Sequence, residues 1–425
     1  MTVLASIDQN GCGCGSNGPM GDLIAIDDAI SRIIQNVSQV AETEELALAT
    51  AQGRILAEPV CAGRAVPPFD TSAMDGFAID TAGLTGAGPW RLSVTARIAA
   101  GQIDHGTLRP GTAAQIFTGA PIPTGADAVV MQEDVQFADG AILISRMIGV
   151  GAHIRTAGED MATGQPVVPA GRHLTARDIA ACAAAGAETV QVRRRVRVAL
   201  LVTGDEVNMP GQPLQNAAIR DVNTPMLCAT IAMPAIELVH VETGKDDREI
   251  LQQQLDELAT RVDLVVTTGG ISVGEEDHVK PALIDLGVKM VFSGVAMKPG
   301  KPVSFGRLGQ AYWLGLPGNP LSAFVTWQLF GTVLCRALAG DRTLSSPRRH
   351  VVLSRQLDHK YGRCELRLAE LSGFDGWGRE VVHFDDATHS GRVARLPAAH
   401  GVIMIPAEAE TLLEGALVEF QPFSD

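Results

Sequence analysis

Thr267-Thr268-Gly269-Gly270-Ile271-Ser272-Val273-Gly274-Glu275-Glu276-Asp277 opens the stretch whose reading decides the fold. Lys298-Pro299-Gly300-Lys301-Pro302 follows, and then Leu316-Pro317-Gly318-Asn319-Pro320. Each loop follows an apolar run that reads as a strand, and the first and third lead into helices. An α/β protein places an anion at such turns, because free backbone N–H groups and the helix dipole both favour negative charge there. Gly269 and Gly270 permit positive φ and close approach of a ligand to the backbone. Asp277 is placed as a helix N-cap, with Lys280 at the third helical position. The structural alternative is a tight strand-to-helix turn with a capping Asp. Lys298 and Lys301 flank Pro299-Gly300, so a stiff turn could aim both ammonium groups at one point; two solvated lysines are the alternative. Asn319 sits at a helix entry, with Pro320 at the tolerated first helical position. Two lysines and a carboxylate this close suggest an anionic substrate handled with a divalent metal.

Upstream, Val198-Ala199-Leu200-Leu201-Val202 is a near-continuous apolar strand, as expected when both faces are covered. Ile236-Glu237-Leu238-Val239-His240-Val241 is another, Asp247 caps a helix, and Leu264-Val265-Val266 returns as a strand into the Gly-Gly loop. This is the βαβ rhythm of a parallel, doubly wound sheet. Glu206, in Thr203-Gly204-Asp205-Glu206, follows the first strand at the edge where ligands gather, which suits a metal or proton-transfer role.

The remaining chain gives an α/β multidomain protein. Its parts are a doubly wound three-layer α/β domain with an inserted β-rich domain, a mixed helical/strand domain and a C-terminal β domain. Residues 1–22, rich in Gly, Asn and Ser, read as a flexible tail; Cys12 and Cys14 in it are candidates for a soft metal or a redox pair. Helical spacing runs over residues 24–52 through Ile26, Ile30, Ile33, Ile34, Val37 and Val40. Residues 63–158 carry short alternating stretches such as Leu92-Ser93-Val94-Thr95-Ala96, separated by Gly and Pro turns, and read as the β-rich insertion. Residues 175–186 read as an Ala-rich helix capped by Thr175 that packs with the N-terminal helix. The mixed domain is then 23–62 plus 159–194, the α/β domain 195–342, and the C-terminal β domain 343–425. No internal repeat is evident.

At 425 residues the chain is too long for one core. The net charge of −14 argues against nonspecific nucleic-acid binding and against docking on an acidic membrane. No apolar run reads as a membrane span, and 323–339, interrupted by Gln328 and Arg336, reads as a buried helix. No signal peptide is visible, and seven scattered cysteines fit a reducing cytoplasm.

Three further segments carry polar groups without a self-evident purpose: Pro67-Pro68-Phe69-Asp70-Thr71-Ser72-Ala73-Met74-Asp75-Gly76, Phe117-Thr118-Gly119-Ala120-Pro121, and Gly158-Glu159-Asp160. Together and in order with Thr-Gly-Asp-Glu, Gly-Gly-Ile-Ser-Val-Gly, Lys-Pro-Gly-Lys-Pro and Leu-Pro-Gly-Asn-Pro, they resemble the MoeA family. These are molybdopterin molybdenumtransferases related to the C-terminal enzyme domain of gephyrin, and the resemblance covers roughly residues 22–423. It implies insertion of molybdate into adenylylated molybdopterin with release of AMP, using magnesium or another divalent cation. It implies an elongated homodimer in which the inserted domain of one subunit meets the α/β domain of the other. By resemblance, Asp277 and Glu206 serve the metal and the adenylyl-phosphate chemistry. Gly269, Gly270 and Ser272 bind the pterin phosphate region, and Pro302, Pro317, Asn319 and Pro320 line the same substrate site. Lys298, Lys301, Arg363 in Gly362-Arg363-Cys364 and Ser390 in His389-Ser390-Gly391 hold molybdate, while Asp70, Asp75 and Thr118 reach in from the partner subunit. A carboxylate among lysines suits a metal ligand better than a general base, which favours the former role for Asp277. The upstream adenylyltransferase is a candidate partner; nucleic acid and membrane are not. The rival readings are a molybdopterin adenylyltransferase, which needs only the α/β unit, and a non-catalytic scaffold that has kept the fold.

Overall fold

Val196–Thr203 is buried on both faces except at Arg197. Val198, Leu200 and Val202 join one apolar core, and Ala199 and Leu201 join another. Two cores on one strand require cover on both sides of its sheet. The computed structural model describes residues 23–102, 106–204, 207–208, 219–245, 247–271, 277–344, 348–387 and 389–423. Its helices are α1 (Ile26–Asn36), α2 (Ala176–Ala184), α3 (Asn223–Ile231), α4 (Arg248–Ala259), α5 (Val279–Asp285), α6 (Pro320–Thr326) and α7 (Thr332–Leu338).

The central sheet has six strands, in the order Ile236–Gly244, Val196–Thr203, Leu264–Thr268, Ala311–Leu316, Ser304–Leu308 and Lys289–Ser293. The first four are mutually parallel. The fifth runs antiparallel to both its neighbours, so the sixth again points with the first four, which corrects the expectation of a wholly parallel sheet. The physical reason is local. Gly309, at φ 60°, and Gln310 link Ser304–Leu308 to Ala311–Leu316 as a two-residue hairpin, so no crossover helix is needed. One face is packed by α1, α3, α6 and α7, the other by α4 and α5. Asp247 caps α4 as expected, its Oδ1 accepting from the N–H groups of Glu249 and Ile250.

α6 continues through a π-helical turn, Trp327–Gly331, into α7. By length and composition alone, Pro320–Leu338 is long and apolar enough to cross a membrane, contrary to the expectation that no segment is. Its most apolar window is 78% buried inside the protein, as the core helix of the central domain.

Two expectations for the N-terminal segment are corrected. The helix ends at Asn36 instead of running to residue 52, and Thr43–Ala47 is a strand antiparallel to Thr189–Arg193. The pairing partner is distant in sequence, so local apolar spacing could not report it. Nor does α1 pack on α2. α1 buries Ile26, Ala29 and Ile33 in the core shared with α7, whereas Cys182 of α2 packs with Leu48, Leu56 and Val192. α2 is capped by Thr175, whose N–H and hydroxyl both donate to Asp178 Oδ2.

The region of 63–158 holds a six-stranded sheet ordered Ala128–Met131, Gly76–Ile79, Thr112–Ile116, Trp90–Ile98, Ala141–Ile144 and Val135–Ala138. A further six-stranded sheet follows residue 343. It is completed at one edge by Met297–Lys298, which runs parallel to Cys364–Phe374. The second loop of the deciding stretch is thereby fastened to the C-terminal sheet.

Candidate functional site

The first and third loops meet at the carboxyl ends of the parallel strands, around a cavity of about 410 Å³. Gly204, Gly269, Gly270, Asp277, Pro302, Pro317, Gly318, Asn319 and Pro320 all line it. Ligands of doubly wound sheets collect at this edge. Gly269 has φ 94°, and a Cβ there would sit 2.5 Å from the Thr203 carbonyl oxygen. Only glycine fits that turn, which leaves the backbone open to a ligand. Asn319 is the N-cap of α6 and Pro320 its first residue, as expected.

Asn223 ties the loops together. Its Nδ2 donates to Thr268 Oγ1 at 3.0 Å and to the Gly318 carbonyl at 2.7 Å. Thr268 Oγ1 in turn donates to the Pro317 carbonyl at 3.0 Å. Beside it, Asp221 Oδ1 accepts from the Thr224 N–H at 2.9 Å. Asp221 Oδ2 and Asn223 Oδ1 are buried, with no hydrogen-bond partner among the described residues. Two orphaned oxygen acceptors lining the same cavity as Asp277 offer ligands suited to a hard, oxygen-seeking cation, and leaving them unpaired is costly. Sequence reasoning missed Asp221 and Asn223. The available signal was Arg220-Asp221-Val222-Asn223 running into the start of α3, at the same sheet edge.

Asp277 lines the cavity, but it is not the N-cap. α5 begins at Val279, His278 occupies the cap position and Lys280 is the second helical residue. The turn spends one more residue before entering the helix than the expected N-cap allowed. Burial pushes the Lys280 ammonium below the usual lysine range, and the charge of Asp277 opposes that shift. Glu206 and Ser272 lie outside the described residues, as do Cys12 and Cys14. Among the described residues no group of three or more His, Cys, Asp or Glu is arranged to hold a metal.

The remaining expected residues fall in several places. Lys298 and Arg363 lie at the seam with the C-terminal sheet, and Ser390 lies against the start of α6. Lys298 pairs in register with Glu365, two residues beyond Arg363, and the Cys364 N–H donates to the Ala296 carbonyl. The Ser390 carbonyl accepts from the Leu321 N–H at 3.0 Å, next to Pro320. Lys301 is exposed on the second loop, and of that loop only Pro302 lines the cavity. Asp70, Asp75 and Thr118 stand in the 63–158 region and do not line the cavity of their own chain. Asp75 Oδ1 accepts from the Thr118 N–H at 2.8 Å and the Thr118 hydroxyl at 2.9 Å. These bonds, the backbone one first, hold its carboxyl below the usual range. Asp70 Oδ1 accepts from the Ala157 N–H at 2.8 Å, and the three residues are anchored but exposed.

Residues 24–186 match the MoeA N-terminal region, domains I and II, and residues 199–336 match a probable molybdopterin-binding domain. A Mycobacterium tuberculosis protein named molybdopterin molybdenumtransferase 2 is 34% identical over 398 residues, covering 91% of this chain and 97% of that one. A Haemophilus influenzae molybdopterin molybdenumtransferase is 35% identical, covering 76% and 80%. The crystal structure of a molybdopterin biosynthesis MoeA protein from Pyrococcus horikoshii superposes with a TM-score of 0.80 at 26% identity. That match covers 94% of this chain and all of the other.

Proposed function

The chain belongs to the MoeA family of molybdopterin molybdenumtransferases, and on that premise we propose that it inserts molybdate into adenylylated molybdopterin and releases AMP. The single observation that carries the site reading is the glycine-walled cavity, which Asp277 shares with Asp221 and Asn223, the latter two each bearing an oxygen without a hydrogen-bond partner among the described residues.

The substrates pose an electrostatic problem. Molybdate and the adenylylated pterin are both anionic, and the protein itself carries −14. The positive-φ turn at Gly269-Gly270 lets phosphate oxygens approach the backbone closely, and the positive end of the α6 dipole favours their charge. Lys298, Arg363 and the more distant Lys301 supply cationic groups for molybdate along the seam, with Ser390 as a hydroxyl donor. A divalent cation such as magnesium fits the acceptor set of Asp221, Asn223 and Asp277, and when bound it supplies charge neutralisation at the phosphoanhydride. The residues' own part is to hold the anhydride against the glycine turn and bring molybdate to it from the C-terminal side. Glu206 and Ser272 keep their proposed roles on resemblance alone.

Asp70, Asp75 and Thr118 have no reacting partner within their own sheet, which supports a homodimer in which they complete the partner's site. The described cysteines are all free thiols, in keeping with a cytoplasmic setting. The deciding experiment mixes the purified chain with adenylylated molybdopterin, molybdate and magnesium and measures AMP. Molybdate-dependent AMP release is expected. Consumption of ATP with free molybdopterin, and no AMP from the adenylylated form, would instead identify an adenylyltransferase.

A further inference from the structure

We propose that Glu365 is a positioning residue for the molybdate-facing Lys298; the inference rests on the role given to Lys298 above. Glu365 lies on the C-terminal sheet, outside the cavity. Its side chain is only 5% exposed, yet it is ionisable, and such a group needs partners in proportion to its burial. It has them on two sides. Oε1 accepts from Lys298 Nζ at 3.4 Å. Oε2 faces Arg367 Nη2 at 3.4 Å and His359 Nε2 at 3.7 Å.

The two neighbours behind Oε2 are themselves fixed. Arg367 Nη2 also donates to the Asp358 carbonyl at 2.8 Å, and His359 Nδ1 lies 2.6 Å from the Ala409 carbonyl. The side chains of Arg367 and His359 are 6% and 2% exposed. Glu365 is therefore clamped from behind and cannot swing away from Lys298. Lys298 is the reverse case, with a side chain 46% exposed and, among the described residues, a single carboxylate in reach. An ammonium has three donors, so holding one on Glu365 leaves two for an incoming oxyanion.

The backbone sets this pairing. Lys298 and Glu365 are partners in register where Met297–Lys298 joins the C-terminal sheet. A long, flexible lysine gains most from such an anchor, because its rotamer freedom is otherwise lost only when the anion binds. Glu365 thus acts on molybdate through Lys298 and touches neither substrate.

The test is a double-mutant cycle in the full-length protein, with Glu365→Gln, Lys298→Ala and the combination, read by AMP release. Glu365→Gln should raise the KM for molybdate about tenfold, the scale of one charge-assisted hydrogen bond, while kcat and the KM for adenylylated molybdopterin change less than about threefold. A purely structural role would move both KM values or thermal stability instead. In the Lys298→Ala background, Glu365→Gln should add nothing to the molybdate KM. An unchanged molybdate KM in Glu365→Gln, or effects that multiply in the double variant, would overturn the inference. An unchanged molybdate KM in Lys298→Ala would overturn the role of Lys298 itself and the inference with it. Should Glu365→Gln not fold, Glu365→Asp keeps the charge but withdraws it from Lys298. The same cycle then applies, with a smaller rise expected and an unchanged KM again fatal.

Discussion

Asp221 and Asp277 differ in what the protein asks of them. Asp221 is 7% exposed, and one of its oxygens has no partner among the described residues. That arrangement costs stability and makes sense only if something else pairs the oxygen. Asp221→Asn keeps the acceptor for the Thr224 N–H and removes the buried charge. In metal-free buffer its Tm should therefore be no lower than that of the parent, while the rise in Tm on adding magnesium is lost. A lower metal-free Tm, or an undiminished response to magnesium, would show the carboxylate to be structural. On the metal role proposed for it, Asp277→Asn should still bind adenylylated molybdopterin but lose about a hundredfold or more in AMP release, since removing a metal ligand withdraws several kcal/mol of transition-state stabilisation. Parent-like turnover at saturating magnesium would count against the assignment.

At the scale of elements, the glycine turn and the end of α7 give separable effects. Gly269→Ala meets both a φ of 94° and a contact of 2.5 Å with Thr203, so it should cost about 1–3 kcal/mol in denaturant unfolding and weaken pterin binding. Gly309→Ala is the control. Its φ is also positive, but nothing lies within 4 Å of the added Cβ, so binding should be unaffected. Beyond α7, Asp341 is 3% exposed. Burial alone would raise its carboxyl, but the Thr343 hydroxyl and N–H and the Arg336 guanidinium outweigh it and hold it below the usual range. A lowered folded-state value contributes stability above the ordinary carboxylate range, and that contribution is lost as pH falls through the lowered value. Asp341→Asn should thus cost about 1–3 kcal/mol at neutral pH, with the gap to the parent closing in acid. A gap that stays constant with pH would mean that the charge contributes nothing. These elements also mark what the sequence made legible. The strands around Leu200 and Val266 and the Asn319-Pro320 helix start were readable because apolar runs, caps and proline act locally. The end of α1 was not, because Thr43–Ala47 answers to a strand at Thr189–Arg193. Asp221 was hidden for another reason, since an Asp-Val-Asn step into a helix looks like ordinary capping. Glu365 was hidden because its neighbours come from three places: Lys298 on another strand, His359 in the loop before its own, and Arg367 along it.

For the whole molecule, the question is how a chain of charge −14 builds a site for two anions from distant parts. The cavity and the lysine seam belong to the central and C-terminal sheets, whereas Asp70, Asp75 and Thr118 are held rigidly in another region. Thr118 donates twice to Asp75, so this loop is built for a fixed shape, and its carboxylates remain exposed. Fixed, exposed carboxylates with no task at home fit a role at a second copy's cavity. If so, Asp75→Ala damages only the site facing its inserted domain, and Asp277→Asn damages only its own cavity. A heterodimer of the two, isolated with separate affinity tags, contains one site made wholly of intact halves and one carrying both lesions. Its activity should approach about half that of the parent, although each homodimer is nearly inactive. Heterodimers as inactive as the parent variants would show that each site is built from one chain. Activity already present in the Asp75→Ala homodimer would remove that loop from the site altogether.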